Sequence, residues 1–132
     1  MTTRGLLARI EAAPGKEEEL EKLLAGARST VEAEPATTAW FALRFGHGEY
    51  AIFDAFPDDA GRQAHLEGGV IVALQEHADL LDGEPLIETV DVLADKLSTG
   101  AVTKGLLLRL PIKSSHADDA EVFLRNGQSV VA

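Results

Sequence analysis

At 132 residues, with 45% hydrophobic side chains and a mean hydropathy of +0.01, the chain can bury the core of one domain and carry a short appended piece. It contains no cysteine, which excludes disulfides, thiolate zinc sites and iron–sulfur clusters, while a formal charge of −10 and a pI near 4.7 argue against nucleic-acid and membrane-surface partners. No apolar run approaches the roughly 18 residues that span a bilayer, and the start lacks the basic, apolar and small-residue order of a signal peptide, so a cytoplasmic protein is expected.

Residues 4–12 form an apolar run closed by Pro14-Gly15, the pattern of a strand followed by a turn. From Lys16 to Glu34, Leu20, Leu23, Leu24, Ala27 and Val31 recur at helical spacing. Glu17, Glu18 and Glu19 complement the N-terminal dipole as a solvated first turn, and Pro35 marks the stop. Residues 40–45 and 49–56 then read as a hairpin around Gly46-His47-Gly48. With those three residues as the loop, paired positions sum to about 94, so Trp40 faces Asp54 and Arg44 faces Tyr50. Alternation places Trp40, Ala42, Arg44, Tyr50, Ile52 and Asp54 on one sheet face. Phe41, Leu43, Phe45, Ala51, Phe53 and Ala55 take the other, so one face is greasy and the other mixes aromatic with ionisable groups.

Asp58, just after Pro57, is suited to cap a helix that carries His65. Gly68-Gly69 interrupts the helix, which resumes from Val70 to Leu81 with Ile71, Leu74, Ala78 and Leu81 on one stripe and His77 beside it. Gly83-Glu84-Pro85 ends it, and residues 86–93 alternate as a fourth strand. The order β-α-β-β-α-β predicts an α+β fold, the ferredoxin-like unit in which helices cover one face of a four-stranded antiparallel sheet. Large apolar side chains on the second face call for a partner, so a homodimer or higher homo-oligomer is expected.

After a linker over 95–102, residues 103–110 (Thr-Lys-Gly-Leu-Leu-Leu-Arg-Leu) repeat Thr3 to Ile10 at an offset of 100 without a gap. Ala120, Phe123, Leu124, Gly127 and Val131 continue the match to the first helix. The predicted organisation is therefore a complete unit over 1–94 and a partial second copy over 103–132, a strand and a helix that dock on the first unit or on a partner subunit.

The run from Gly5 to Glu17, the run from Pro35 to Trp40, and Phe53-Asp54-Ala55-Phe56 leading to Ala64-His65-Leu66 resemble the antibiotic biosynthesis monooxygenase family of dimeric α+β barrels. The resemblance covers about residues 4–94, and its first strand and helix return at 103–131. It implies a homodimer with facing sheets, a pocket between each sheet and its helices, and, as in some relatives, oxidation of phenols or quinols by molecular oxygen with no metal or flavin. His65 matches a histidine that the family's second helix often carries; where relatives often have another, this chain has Gly69-Val70-Ile71. Haem degradation is disfavoured, because no asparagine stands between Arg4 and Ala12.

Such an oxygenation removes a proton from a phenolic substrate and steadies the anion in a dry pocket. Arg44 can supply positive charge, Trp40 and Tyr50 can wall the ring, and His65 or Asp54 can take the proton. Each has a plainer reading: Trp40 as core, Arg44 and Asp54 as interface rim, His65 as a partly exposed helix residue. His77 is a further candidate substrate contact, its other reading being a hydrogen-bonded structural histidine. The four histidines lack the i, i+4 spacing of ligands and there are no thiolates, so no metal is expected, and the resemblance implies no cofactor. The competing expectation is a non-catalytic small-ligand-binding or oligomerisation module of the same fold.

Overall fold

A computed structural model describes residues 3–98 and 100–131, with side chains in the last helix described through residue 127. The chain divides after Val92 into two units. In the first, β1 (Arg4–Glu11), α1 (Glu17–Glu32), β2 (Ala39–Gly46), β3 (Glu49–Phe56), α2 (Asp59–Leu66), α3 (Gly69–Glu76) and β4 (Leu86–Asp91) follow in order. The sheet is antiparallel in the order β2-β3-β1-β4, the ferredoxin-like arrangement. Trp40 faces Asp54 and Arg44 faces Tyr50, the register expected from the hairpin, with a bulge between Arg44 and Gly46. The second helical segment is shorter than its periodicity implies: α3 ends at Glu76, and a single 3-10 turn, Ala78–Leu80, carries the chain on.

The face bearing Trp40 and Asp54 is the one the helices cover. Leu20, Leu24 and Val31 of α1 and Val70 and Leu74 of α3 pack on Ala8, Ile10, Tyr50 and Ile52, with Trp40 partly buried at the margin. The opposite face carries Leu7, Phe41, Leu43, Phe45 and Phe53, and there Phe41 and Phe45 are 36% and 40% exposed. The Arg9 guanidinium lies 4.7 Å from the centre of the Phe45 ring, a cation–π contact that covers part of this face. Gly5 is needed where β1 runs between its neighbours, since a Cβ there would lie 2.9 Å from Val90 Cγ2 and 3.0 Å from the Asp54 carbonyl oxygen.

Asp58 caps α2, its Oδ1 accepting from Gly61 N–H at 2.8 Å. Asp58→Ala leaves that first-turn N–H unpaired and is expected to lower stability by about 1 kcal/mol, measured as a lower urea midpoint at constant m.

The second unit begins after Val92. Within the single chain, residues 101–113, which include the segment 103–110 expected to pair as a strand, form no regular structure, and a 3-10 turn at Ser114–His116 leads into α4 (Ala117–Val131). The physical reason is that a strand exists through its ladder partners. Among the described residues, no helix is long and apolar enough to cross a membrane.

Candidate functional site

Three segments converge on one buried cluster. β3 sends Asp54 up from the sheet, the last turn of α2 brings His65 down over it, and the turn after α1 supplies Glu34 from the side. His65 Nε2 lies 2.8 Å from Asp54 Oδ2, and Nδ1 lies 2.7 Å from Glu34 Oε1. The side chains of Asp54 and His65 are each 3% exposed, while that of Glu34 reaches solvent at 23%. Pro35 halts α1 and leaves Glu34 in a turn, where its N–H donates to the Val31 carbonyl and its Oε1 also accepts from the Thr37 hydroxyl at 2.9 Å. The Phe56 ring stands 5.3 Å from the imidazole, centre to centre, and closes another side.

Burial alone would push the His65 imidazole down, but its hydrogen bonds to Asp54 and Glu34, with the charges of both, outweigh burial and raise it to about 9. His65 is thus an imidazolium at neutral pH that donates from both nitrogens. For Asp54, burial pushes the carboxyl above its ordinary value, the contact with His65 holds part of that rise back, and the Glu34 charge adds to it. The carboxylate is therefore more basic than an exposed one while keeping an oxygen to spare.

That oxygen, Asp54 Oδ1, is buried without a hydrogen-bond partner, and so is Trp40 Nε1. A donor and an acceptor, each costly to leave unmade, stand on directly opposed residues of β2 and β3. Asp54 and His65 also line a recess of about 20 Å³ whose other walls are Leu6, Ala8, Ile52, Leu66, Val70, Ile71, Leu74, Pro85 and Ile87. The lining is almost wholly apolar, and the volume suits about one water molecule.

The structure thus pairs Trp40 with Asp54 across β2 and β3, sets His65 on Asp54, and places the other candidates elsewhere. Arg44 lies four residues along β2 from Trp40, about 13 Å at strand rise, and its guanidinium meets Glu21 Oε1 at 2.9 Å. Tyr50 donates to Glu21 Oε2 at 2.8 Å, and burial together with that carboxylate pushes the phenol up to about 12. Arg44, Tyr50 and Glu21 make a separate cluster under α1. His77 is exposed at the end of α3, its N–H donating to the Ala73 carbonyl. Glu34 and Glu21 escaped the sequence reading, since nothing local marks a carboxylate after a helix stop, or one among several on a helix, as a partner for a distant strand. Among the described residues, no group of three or more His, Asp or Glu side chains is arranged to hold a metal ion.

No protein-family model matches the chain, and no curated protein matches it. Among solved structures it is similar to a protein of unknown function from Nitrosomonas europaea, with 50% identity over 76% of this chain and 98% of that one, and a TM-score of 0.73. It also has the fold of two proteins named as candidate antibiotic biosynthesis monooxygenases. One, from Caulobacter crescentus, is 21% identical over 69% of this chain and 90% of that one, with a TM-score of 0.61. The other, from Nitrosomonas europaea, is 13% identical over the same shares, with a TM-score of 0.63. The chain therefore belongs to the family of the Nitrosomonas europaea protein of unknown function, and its α+β fold is that of the antibiotic biosynthesis monooxygenase-like proteins.

Proposed function

We propose that the protein is a cytoplasmic, homodimeric, cofactor-independent monooxygenase that oxidises a small aromatic or quinol-like substrate with molecular oxygen, one oxygen atom entering the product and the other leaving as water, with Asp54 as the base that takes the substrate's proton. The observation that carries this reading is the unpaired couple of Trp40 Nε1 and Asp54 Oδ1. A hydroxyl group satisfies both, accepting from the indole N–H and donating to the carboxylate. Transfer of its proton to Asp54 Oδ1 leaves an electron-rich phenolate in an apolar recess, with the His65 imidazolium behind the carboxylate to steady the charge. The reading also draws on the fold shared with proteins named as candidate monooxygenases. The second copy covers the sheet face of Phe41, Leu43 and Phe45, and residues 103–132 dock on one of the two subunits.

A ring needs far more than 20 Å³, so substrate entry requires the helices to part from the sheet beside Asp54. The narrow recess is also the observation behind the other reading, a non-catalytic ligand-binding or oligomerisation module. Oxygen uptake by metal-free protein with a panel of quinols separates them. Uptake that saturates with one quinol is expected; its absence across the panel leaves the binding module.

A further inference from the structure

We infer that Glu34 is a positioning residue: through His65 it fixes the orientation and charge of the ring that holds Asp54, and thereby sets how strongly Asp54 Oδ1 attracts a proton. The inference rests on the proposed reaction for its kinetic consequence only. Its geometric basis is the unbroken line from Asp54 Oδ2 to His65 Nε2 at 2.8 Å and from His65 Nδ1 to Glu34 Oε1 at 2.7 Å.

An imidazole hydrogen-bonded at one nitrogen alone can rotate or change tautomer, and as a neutral ring it could leave Asp54 without a donor. Glu34 removes that freedom by holding the second nitrogen as an N–H donor. Thr37 holds Glu34 in turn, its hydroxyl donating to the same Oε1 at 2.9 Å. Among the described residues, the charged groups that act on the His65 ring are Asp54 from β3 and Glu34 from the turn after α1, and both favour the imidazolium. Glu34 is 23% exposed, whereas Asp54 and His65 are each 3% exposed.

The consequence for Asp54 is specific. With Glu34 charged, His65 stays an imidazolium and Asp54 a carboxylate, a resting state ready to take a proton on Oδ1. With Glu34 uncharged, His65 loses its proton at a lower pH, and above that pH no cation faces Asp54.

The test is to follow the ring nitrogens of His65 by NMR across pH in the wild type and in Glu34→Gln, which keeps an oxygen acceptor of the same reach but no charge. The wild-type midpoint is expected near pH 9, and Glu34→Gln is expected to bind the proton at least about tenfold more weakly. The alkaline limb of the quinol oxidation rate should move to lower pH with it. The milder Thr37→Val, which keeps the carboxylate but removes its brace, should weaken proton binding less and serves should Glu34→Gln fail to fold. An unshifted midpoint in the folded variants, or a wild-type ring that titrates near 6.5, overturns the inference. A wild type that oxidises no quinol yet shows the shift overturns the proposed reaction and leaves the role of Glu34 standing.

Discussion

Asp54→Asn is expected to lower quinol turnover by about 10²–10⁴-fold, the usual contribution of a positioned general base, with little change in the fold. Asparagine matches the carboxylate in shape, and its carbonyl oxygen can still accept from His65 Nε2, so the link between β3 and α2 survives. The group in the unpaired position of Asp54 Oδ1 then becomes an amide NH₂, which donates where the carboxylate oxygen accepts and cannot take a proton. Both groups turned toward a substrate hydroxyl, the indole N–H and the amide, would compete for its oxygen and leave its hydrogen unmatched. The comparison that gives this result its meaning is Arg44→Ala with Tyr50→Phe. Their polar atoms engage Glu21 away from the recess, so both are expected to leave turnover close to wild type. Undiminished turnover in Asp54→Asn would remove that carboxylate from the chemistry, and a large loss in Arg44→Ala would move the site to the Glu21 cluster.

The contrast between those two clusters also shows how far the sequence could be read. Trp40 opposite Asp54 was legible because alternation and a short glycine-rich loop fix a hairpin's register from local information alone. The same alternation put Arg44 and Tyr50 on that face, but it could not separate them from Asp54 by function. Separation depends on which helix residue reaches down to each, and Glu21 of α1 and His65 of α2 are placed by packing of segments far apart in the chain. The bond between Glu34 and His65 spans 31 residues and forms only once α2 lies on the sheet. Helix caps and stops such as Asp58 and Pro35 were legible for the opposite reason, since they act within a few residues. Residues 103–110 mark the other boundary. Their match to β1 shows that they can form a strand, but a strand also needs a ladder partner, and one segment's sequence does not supply it.

His65→Ala is expected to destabilise the fold by about 3–5 kcal/mol, a large fraction of the roughly 5–15 kcal/mol that holds a domain of this size together. The loss does not come mainly from the missing ring. It comes from Asp54, which is left 3% exposed with neither oxygen paired and faces the Glu34 charge with no cation between them. Two measurements separate this cause from simple loss of packing against Phe56. First, an uncompensated Asp54 can escape its cost by taking a proton, so the deficit of His65→Ala in urea unfolding should widen as pH rises from the acid side toward 6.5, where the wild-type imidazolium is still fully present, whereas a packing defect is indifferent to pH. Second, Asp54→Ala made in the His65→Ala background should cost little further or even restore stability, because it removes the stranded charge. The wild type carries the reciprocal sign. The folded His65 binds its proton more tightly than the unfolded value of 6.5, so its contribution is fully present below pH 6.5 and is lost as pH rises through about 9. The two stability curves should therefore converge on the alkaline side of pH 9, where the wild-type ring is neutral and Asp54 faces no cation in either protein. Parallel curves from pH 5 to 10 would reduce His65 to a packing residue and take the imidazolium out of the site.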